Sequence, residues 1–383
     1  MGSLKMQAGS RPLIVQVVRQ FWPNRGGFED VIGNLSRQLL DRGYRVRVVT
    51  CDRLFSAPDR KLPSRETLEG IEIVRIPWSG SSRYPLAPQI FAHVRDADLI
   101  HVHAIDFFFD ALAWGRMLHR RPMVATTHGG FFHTPNYAAI KKIWFRSITR
   151  LSAMGYGRLI CCSEPDFKLF SGIAGDRAIL VENGVDTEKF AGGASPGAAR
   201  RIVTIGRFSV NKRLDRMLDM MRVVTARDPA WHLDIIGSAY DLDEAALRQE
   251  VGKRGLVNHV SLHVSPENAA IRSIIGGGSL FASASEYEGF GLVAVEAMSA
   301  GLLPILHPND AYRSLASRHR TVKLADFASP SLAADAVTAA YESLLANGDD
   351  LREAIRREVE PYSWNTVADR YVDVYRTMLA EHR

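Results

Sequence analysis

Long apolar runs and cysteines are both scarce in this sequence of 383 residues. No stretch reaches the roughly 18 to 20 consecutive apolar residues that a membrane-spanning helix needs. The sequence has three cysteines, of which Cys161 and Cys162 are neighbours. It therefore predicts no disulfide framework and indicates a reducing, cytoplasmic compartment. The short strand-like run at residues 13–18 is followed by Arg19 and by no small-residue cleavage site, so we expect no signal peptide.

Two familiar nucleotide-binding patterns and a metal-binding pattern are also absent. The first predicted strand is followed by Gly26 and Gly27 instead of Gly-x-Gly-x-x-Gly, and Gly-x-x-x-x-Gly-Lys-Ser/Thr does not occur. Neither dinucleotide nor P-loop chemistry is therefore indicated. His101 and His103 lie two residues apart on a predicted strand, and no carboxylate cluster of matching spacing joins them. We therefore predict no metal site.

Positive charge is concentrated in the first half of the chain. Residues 1–190 contain 26 Lys and Arg against 18 Asp and Glu, and the remainder contains 22 against 24. A basic half favours an acidic partner, which could be nucleic acid, an anionic membrane surface or a phosphate-bearing substrate. No helix-turn-helix, RNA-recognition or zinc pattern accompanies the charge, so we expect no nucleic-acid partner.

Strand and helix patterns alternate twice along the chain. The length suggests two domains, and the alternation predicts an α/β protein with two Rossmann-like, doubly wound parallel sheets. Residues 191–199 are rich in Gly, Ala and Pro, and we interpret them as a flexible linker. The predicted domains are therefore residues 1–193 and 194–362, with the carboxyl ends of both sheets around a central cleft.

A strand, a glycine loop and a helix follow one another around Glu288. Gly289 and Gly291 lie where the helix begins, so the backbone can approach a ligand closely and the helix dipole favours an anion such as phosphate. Eight residues separate Glu288 from Glu296, which is about 12 Å along a helix. A glycosidase pair works at about 5 to 9.5 Å, so this spacing suits two contacts with one extended ligand. A first-turn carboxylate and a solvated glutamate are the alternative.

Three further segments carry candidate functional groups. Arg207 and Lys212 follow a predicted strand, where a planar fork and a point charge suit a diphosphate, although an ordinary solvated basic loop has the same pattern. His128 ends a buried strand and could bind a sugar hydroxyl or be a buried structural histidine. Residues 136–158 form a predicted basic amphipathic helix, which either lies on an anionic bilayer or packs on its own sheet.

Taken together, these motifs resemble a known enzyme family. Glu288 and Glu296 with Gly289-Phe290-Gly291, the loop carrying Arg207 and Lys212, and the residues 26–27, 128–129 and 183–186 are similar to retaining glycosyltransferases of family 4 with the GT-B fold. The residues 80–85, 103–108 and 127–133 resemble the bacterial α-mannosyltransferases of acetan and xanthan assembly.

The resemblance implies a role for each matching residue. Arg207 and Lys212 would hold the donor diphosphate and stabilise it as a leaving group, Glu296 would bind ribose, and Glu288 would orient the mannose. His128 would contact the sugar near the reacting carbon. The other implied donor-binding residues are Gly26, Gly27, Ser163, Gly289, Phe290 and Gly291. The implied acceptor-binding residues are Arg83, Tyr84, His103, Asp106, Phe131 and Phe132.

The resemblance also implies a reaction. It is the retaining transfer of mannose from GDP-mannose, in an α-1,3 linkage, to a cellobiosyl-diphosphopolyprenol at the cytoplasmic face of the inner membrane, with no required metal or cofactor. It further implies that residues 363–383 pack back on the first domain. Another family 4 hexosyltransferase, a nucleotide-sugar epimerase and a non-catalytic binding module remain as alternatives.

Overall fold

The computed structural model describes residues 11–24, 26–128 and 143–382, which fall into two compact units. The first unit runs to Gly184 and resumes at Trp364, and the second unit is Val185–Ser363. The chain therefore passes from the first unit to the second and returns at its last helix.

The boundary differs from the predicted one, which followed residue 193. The backbone of the predicted linker is hydrogen-bonded within the second unit, because the N–H of Gly192 donates to Ser299 O at 3.2 Å and that of Ala194 to Ala300 O at 2.9 Å. The prediction of a flexible linker at residues 191–199 is therefore wrong, and these residues belong to the second unit.

The first unit is built on an eight-stranded sheet in the order β12-β11-β10-β9-β1-β2-β6-β5. All neighbours are parallel except β5, which runs antiparallel to β6, and β3–β4 and β7–β8 form two separate hairpins. Every residue of β1 and β9 is buried, as expected for parallel strands covered on both faces. The strands are β1 Leu13–Val17, β2 Arg45–Cys51, β3 Arg53–Leu54, β4 Ala57–Lys61, β5 Arg65–Leu68, β6 Ile71–Ile76, β7 Ser79–Ser81, β8 Tyr84–Leu86, β9 Leu99–His103, β10 Met123–Thr126, β11 Arg158–Cys161 and β12 Ala178–Leu180.

Helices cover both faces of this sheet. The C-terminal helix belongs to the first unit, and its Val367, Tyr371 and Tyr375 share a buried cluster with Ile14 and Leu99 of the sheet. The helices of the unit are α1 Gly27–Asp41, α2 Ile90–His93, α3 Phe107–Trp114, α4 Arg116–His119, α5 Arg150–Ala153, α6 Glu164–Ala174 and, at the end of the chain, α13 Trp364–Glu381. A π-helical turn, Phe145–Thr149, precedes α5.

The second unit has a six-stranded sheet in the order β15-β14-β13-β16-β17-β18, with every pair parallel. Its strands are β13 Arg201–Ile205, β14 His232–Gly237, β15 Val260–Val264, β16 Leu280–Ser283, β17 Leu303–Leu306 and β18 Lys323–Leu324. Its helices are α7 Leu214–Arg227, α8 Glu244–Lys253, α9 Asn268–Ile275, α10 Leu292–Ser299, α11 Asp310–Arg318 and α12 Pro330–Val359.

Both sheets reverse their strand order once. The reversal lies between β1 and β9 in the first unit and between β13 and β16 in the second. Open α/β sheets bind ligands beyond the carboxyl ends of the strands at such a point. The predicted fold class, two Rossmann-like doubly wound units, is confirmed. No helix in the described part of the chain is both long and apolar enough to cross a bilayer.

Candidate functional site

In the second unit, the loops after β13 and β16 are joined by one side chain. Asn211 donates from Nδ2 to Tyr287 O at 2.9 Å and accepts from Tyr287 N at 3.1 Å, while its own carbonyl accepts from Glu286 N at 3.0 Å. Because these bonds run in both directions, the two loops are held in one register. Lys212 and Glu288 come next along the two loops, so the same bonds set their separation.

Lys212 and Glu288 form an ion pair at this edge of the sheet. Lys212 Nζ lies 2.6 Å from Glu288 Oε1, and both side chains are about four-fifths buried. The stem of Lys212 passes over Gly206, where an added Cβ would lie 2.8 Å from Lys212 Cε. An ammonium has three N–H donors. The pair therefore presents a positioned cation and carboxylate together.

Tyr312 of α11 lies beside the Glu288 carboxylate. Its hydroxyl lies 3.0 Å from Ser283 Oγ, to which it donates, and 3.4 Å from Glu288 Oε1. Burial, followed by the charge of Glu288, raises the pKa of Tyr312 well above its ordinary value, so the hydroxyl stays protonated. Its ring also lies against Gly291, where an added Cβ would be 2.9 Å from Tyr312 Cε1.

The glycine loop before α10 has the predicted form. Gly291 caps the helix with φ 89° and ψ 34°, a left-handed conformation that glycine adopts without steric cost. Open space surrounds the Cβ position of Gly289, and the ring of Phe290 makes an edge contact with Tyr362 at 5.5 Å. The helix therefore begins beside the Lys212–Glu288 pair, as its sequence indicated.

Arg207 and Glu296 lie on the same loops and helix but have other partners. The guanidinium of Arg207 lies over the ring of Tyr240, 4.5 Å from its centroid, and both side chains are exposed. Glu296 lies within α10, with Lys189 Nζ 3.8 Å from its Oε1. The structure therefore brings together Lys212, Glu288, Gly289 and Gly291 most directly.

In the first unit, His128 is the end of a hydrogen-bonded line of side chains. Its Nε2 lies 2.8 Å from His103 Nδ1, and His103 Nε2 lies 2.8 Å from Gln16 Oε1. Phe28, at the start of α1, places its ring edge-on to His128 at 4.3 Å between centroids. The predicted Gly26–Gly27 loop therefore leads into the residue that packs on His128.

Burial keeps the histidines of this group neutral. Burial lowers the pKa of His128 to about 3, and it lowers the pKa values of His101 and His103 well below the ordinary value. His101 is bonded to Tyr375 and Thr126, each at 2.7 Å. Over the described ranges, no three His, Cys, Asp or Glu side chains are grouped so that they could hold a metal ion.

His103 was expected to bind the acceptor, and the structure gives it another role. The side chain is 1% exposed and both ring nitrogens already have partners. It has no free group to present to a ligand, so we correct this assignment. The sequence pattern placed His103 at the carboxyl end of its strand, but it could not show that a neighbouring strand fills the space beyond the ring.

Asp106 and Tyr84, also expected at the acceptor, lie around the β7–β8 hairpin. Asp106 caps α3 by accepting from Phe108 N at 2.9 Å, and its Oδ2 lies 3.1 Å from Arg19 Nε. Burial raises its pKa to about 7, which the charge of Arg19 partly opposes. Tyr84 donates to Asp110 Oδ2 at 2.8 Å.

The remaining expected residues are less informative. Arg83 is exposed at the hairpin turn, and its carbonyl accepts from Arg19 at 3.3 Å. Ser163 caps α6 by accepting from Asp166 N, which is a structural use of its hydroxyl. Phe131 and Phe132 lie outside the described residues.

Sequence reasoning missed several residues of these sites. Gln16 interrupts the apolar run of β1, and a polar residue in a fully buried strand is a signal that could have been noticed. Asn211 lay inside the basic loop, but nothing in the sequence connects it with Tyr287. Tyr312 gave no local signal, because it reaches Glu288 from a helix further along the chain.

Comparisons with known proteins agree with this architecture. The model of Glycosyltransferase Family 4 matches residues 25–189, and that of Glycosyl transferases group 1 matches residues 185–360. A crystal structure of a glycosyltransferase from Rickettsia africae superposes with a TM-score of 0.73 at 18% identity, covering 97% of this chain and 99% of that one. The fold is therefore that of the GT-B glycosyltransferases.

Two curated relatives define the family more closely. The GDP-mannose:cellobiosyl-diphosphopolyprenol α-mannosyltransferase of Xanthomonas campestris is 42% identical over 97% of this chain and 98% of its own. The enzyme of the same name from Komagataeibacter xylinus is 39% identical over 96% of this chain and 93% of its own. The chain belongs to glycosyltransferase family 4, together with these bacterial mannosyltransferases.

Proposed function

We propose that this chain transfers mannose from GDP-mannose to a cellobiosyl-diphosphopolyprenol, forming an α-1,3 linkage with retention at the sugar carbon. The observation that carries the proposal is the Lys212–Glu288 pair beside the start of α10. Relatives of nearly the same length with this named activity support it. In this proposal the second unit binds the donor, and the first unit supplies His128 and the acceptor site.

The main requirement of this mannosyl transfer is stabilisation of the GDP leaving group. The bond from the mannose carbon to the diphosphate breaks, and its electron pair leaves on GDP. The acceptor oxygen then bonds to that carbon from the same face, and its proton passes to the departing phosphate. Lys212 and Arg207 stabilise the new charge, with the backbone at Gly289 and Gly291 as further donors. Glu288 orients the sugar and forms no covalent intermediate.

A donor screen tests the reaction directly. Purified protein with GDP-mannose and a cellobiosyl lipid diphosphate is expected to give a trisaccharide lipid, detected by mass spectrometry, at an equal rate with or without EDTA. Product from a UDP-sugar but not from GDP-mannose would overturn the donor assignment. Conversion of the nucleotide sugar without acceptor would instead favour an epimerase, and loss of activity in EDTA would overturn the proposal that no metal is required.

We also propose that the first unit docks on an anionic membrane, where the lipid acceptor resides. In the described part of the predicted helix at residues 136–158, Phe145, Thr149, Ser152 and Ala153 are buried. Among the apolar residues of this sequence pattern, Ile143, Trp144 and Leu151 instead face solvent, and Ile143 is 69% exposed. Ile148 is half-buried. This orientation argues against the alternative that the helix packs its apolar stripe on its own sheet.

A second element extends this exposed surface. Gly155 packs on Ala113, where an added Cβ would lie 3.0 Å from Ala113 Cα, so the end of α3 adjoins α5. We name this surface the apolar–basic face, and its exposed residues are Trp114, Met117, Leu118, Ile143, Trp144, Leu151 and Met154 with Arg116, Arg120, Arg146 and Arg150. Apolar side chains interspersed with arginines suit an anionic bilayer surface, each near-surface cation contributing about 1 kcal/mol.

Vesicle sedimentation tests the membrane proposal. We expect binding to vesicles containing phosphatidylglycerol, weaker binding at high salt, and little binding to phosphatidylcholine alone. Leu118→Asp should reduce binding at least several-fold. Leu345→Asp is the matched control, because Leu345 is 59% exposed on the second unit and Leu118 is 62% exposed. Equal binding by both variants would overturn the assignment of the apolar–basic face.

A further inference from the structure

The line of side chains that ends at His128 begins at α1. Gln16 Nε2 donates to Ser36 Oγ at 2.7 Å, and Gln16 Oε1 lies 2.8 Å from His103 Nε2. His103 Nδ1 then lies 2.8 Å from His128 Nε2. Ser36, Gln16 and His103 are each no more than 1% exposed, so this line is shielded from water.

Counting protons along the line assigns the state of each ring. A carboxamide oxygen only accepts, so His103 must carry its proton on Nε2. A neutral His103 then has a lone pair on Nδ1, and His128 must donate to it from Nε2. A neutral His128 that donates from Nε2 keeps its lone pair on Nδ1. None of the residues in the described ranges forms a hydrogen bond with that Nδ1.

The surroundings of the rings preserve this arrangement. The titratable groups whose charges affect His103 are His101 and His128, and no carboxylate is among them. On α13, Tyr375 and Tyr371 contact His101. The hydrogen bonds of His103 are with Gln16 and His128. Phe28 packs against both His103 and His128 with its ring edge. A neutral, tightly packed group of this kind has one hydrogen-bonding pattern available.

We propose that Gln16 and His103 are positioning residues, which hold His128 as the Nε2–H tautomer so that its Nδ1 accepts a hydrogen bond from a sugar hydroxyl. The proposal rests on the sugar-transfer function above, and it adds a reason for a polar side chain in a buried strand. The partner of His128 Nδ1 is then a hydroxyl of the substrate. An unprotonated ring nitrogen accepts a hydrogen bond and so needs a proton donor, which a carbonyl or a phosphate oxygen is not.

Imidazole nitrogen NMR of the free protein tests the tautomer without any substrate. We expect His128 to show a protonated Nε2 and an unprotonated Nδ1 at pH 7. Gln16→Leu removes the acceptor that fixes His103, so the His128 signals should shift towards a mixture of tautomers. The kcat of the folded variant should fall about tenfold, the value of one hydrogen bond, with KM for GDP-mannose little changed.

Gln16→Glu gives a second test that a purely structural role would not pass. The new carboxylate should raise the pKa of His103, so that His103 becomes protonated at both nitrogens at low pH. It would then donate to His128 Nε2 and leave His128 protonated at Nδ1. The variant should therefore lose activity as pH falls through the raised pKa of His103 and regain it at higher pH, whereas the wild type should not.

Tyr375→Phe is the matched control, because it removes a buried hydrogen bond to His101 that lies outside the line. It should lower the melting temperature while leaving both the His128 tautomer and kcat unchanged. A protonated Nδ1 on His128 in the wild type would overturn the proposal. So would a Gln16→Leu variant whose tautomer or kcat matches the wild type. The NMR result stands even if no sugar transfer is found, so the two failures are distinguishable.

Discussion

The short separation of Lys212 and Glu288 lets the pair serve two purposes, one without a ligand and one with a bound diphosphate. Without a ligand they neutralise each other, and a bound diphosphate adds acceptors for the remaining N–H donors of the ammonium. The Glu288 carboxylate then prevents the Lys212 side chain from turning away. The hydroxyl of Tyr312, which donates to Ser283 Oγ, lies beside that carboxylate and limits its movement. Preorganisation of this kind is what stabilises a leaving group without reorganisation during the reaction.

Lys212→Ala should therefore reduce kcat by about 100-fold to 1000-fold, the typical effect of removing one preorganised donor from a developing anion. Initial rates of mannosyl transfer at saturating GDP-mannose measure this effect. Lys253→Ala is a suitable control, because Lys253 forms an exposed ion pair with Glu250 on α8. A Lys212→Ala enzyme with a kcat within threefold of wild type would remove Lys212 from the reaction.

Asp106 makes the stability of the first unit depend on pH. Burial raises its folded-state pKa to about 7, whereas an unfolded aspartate titrates near 4. The stabilisation is complete below about pH 4 and is lost as pH rises through about 7, because the unfolded state then releases the proton first. Relative to Asp106→Asn, the wild type should therefore lose a few kcal/mol of unfolding free energy between pH 4.5 and 7.5.

Denaturant titrations of both proteins across this pH range measure the difference. Asparagine keeps a side-chain acceptor for the helix cap, so the comparison isolates the titrating group. If the two proteins show parallel pH profiles, the Asp106 carboxyl is already ionised at pH 4.5 in the folded state.

At the scale of elements, strand positions were predictable and loop connections were not. Residues 13–18 and 99–103 are mostly apolar because parallel strands are covered on both faces, and they contain β1 and β9. The hairpins β3–β4 and β7–β8 were missed, since they are short and mostly exposed, so no periodic burial marks them in the sequence. Residues 191–199 have a linker's composition, but composition carries no record of backbone hydrogen bonds to another segment.

The same limit applies to the candidate site. The glycines before α10 and the basic loop after β13 were identified because each has a local physical signature. Their connection through Asn211 depends on a residue 76 positions away, and so does the Lys212–Glu288 pair. Roles assigned by resemblance to Arg207, Glu296 and Ser163 stay predictions, since the contacts of these side chains described above are with other residues of the protein.

Two glycines of the second unit should respond in opposite ways to alanine. Gly291 has φ 89°, and its Cβ would be 2.9 Å from Tyr312 Cε1, so Gly291→Ala should destabilise the unit by about 1 to 3 kcal/mol. Gly252 lies within α8 with open space around its Cβ position. Gly252→Ala should stabilise by about 0.5 to 1 kcal/mol. Chemical denaturation measures both, and a change of equal sign would contradict the account.

At the scale of the whole molecule, the two units differ in how their chain is assembled. The second is one continuous segment, Val185–Ser363, whereas the first needs both ends of the sequence. Trp364 lies against Gly184, where an added Cβ would meet its ring at 2.5 Å, and Tyr371 and Tyr375 are buried in the first unit's core. Each large apolar side chain contributes about 1.5 to 3 kcal/mol on burial.

Residues 185–363 expressed alone should therefore fold cooperatively, and residues 1–184 alone should not. Without α13, the first unit loses the burial energy of several core side chains, which is comparable with the roughly 5 to 15 kcal/mol that typically stabilises a folded domain. Circular dichroism with thermal denaturation of both fragments measures this, and adding a peptide of residues 364–383 to the first fragment should restore a cooperative transition. A stable first fragment without that peptide would show that α13 is dispensable for its core.

The return of α13 to the first unit has a consequence for biosynthesis. A ribosome releases the segment up to Gly184 before the rest, yet that segment lacks part of its interior until α13 has been translated. The second unit, which is one continuous segment, can fold as soon as it has been translated. The first unit stays incompletely folded, with apolar surface exposed, until α13 is available. Premature termination before Trp364 would therefore damage the unit of the protein that was made first.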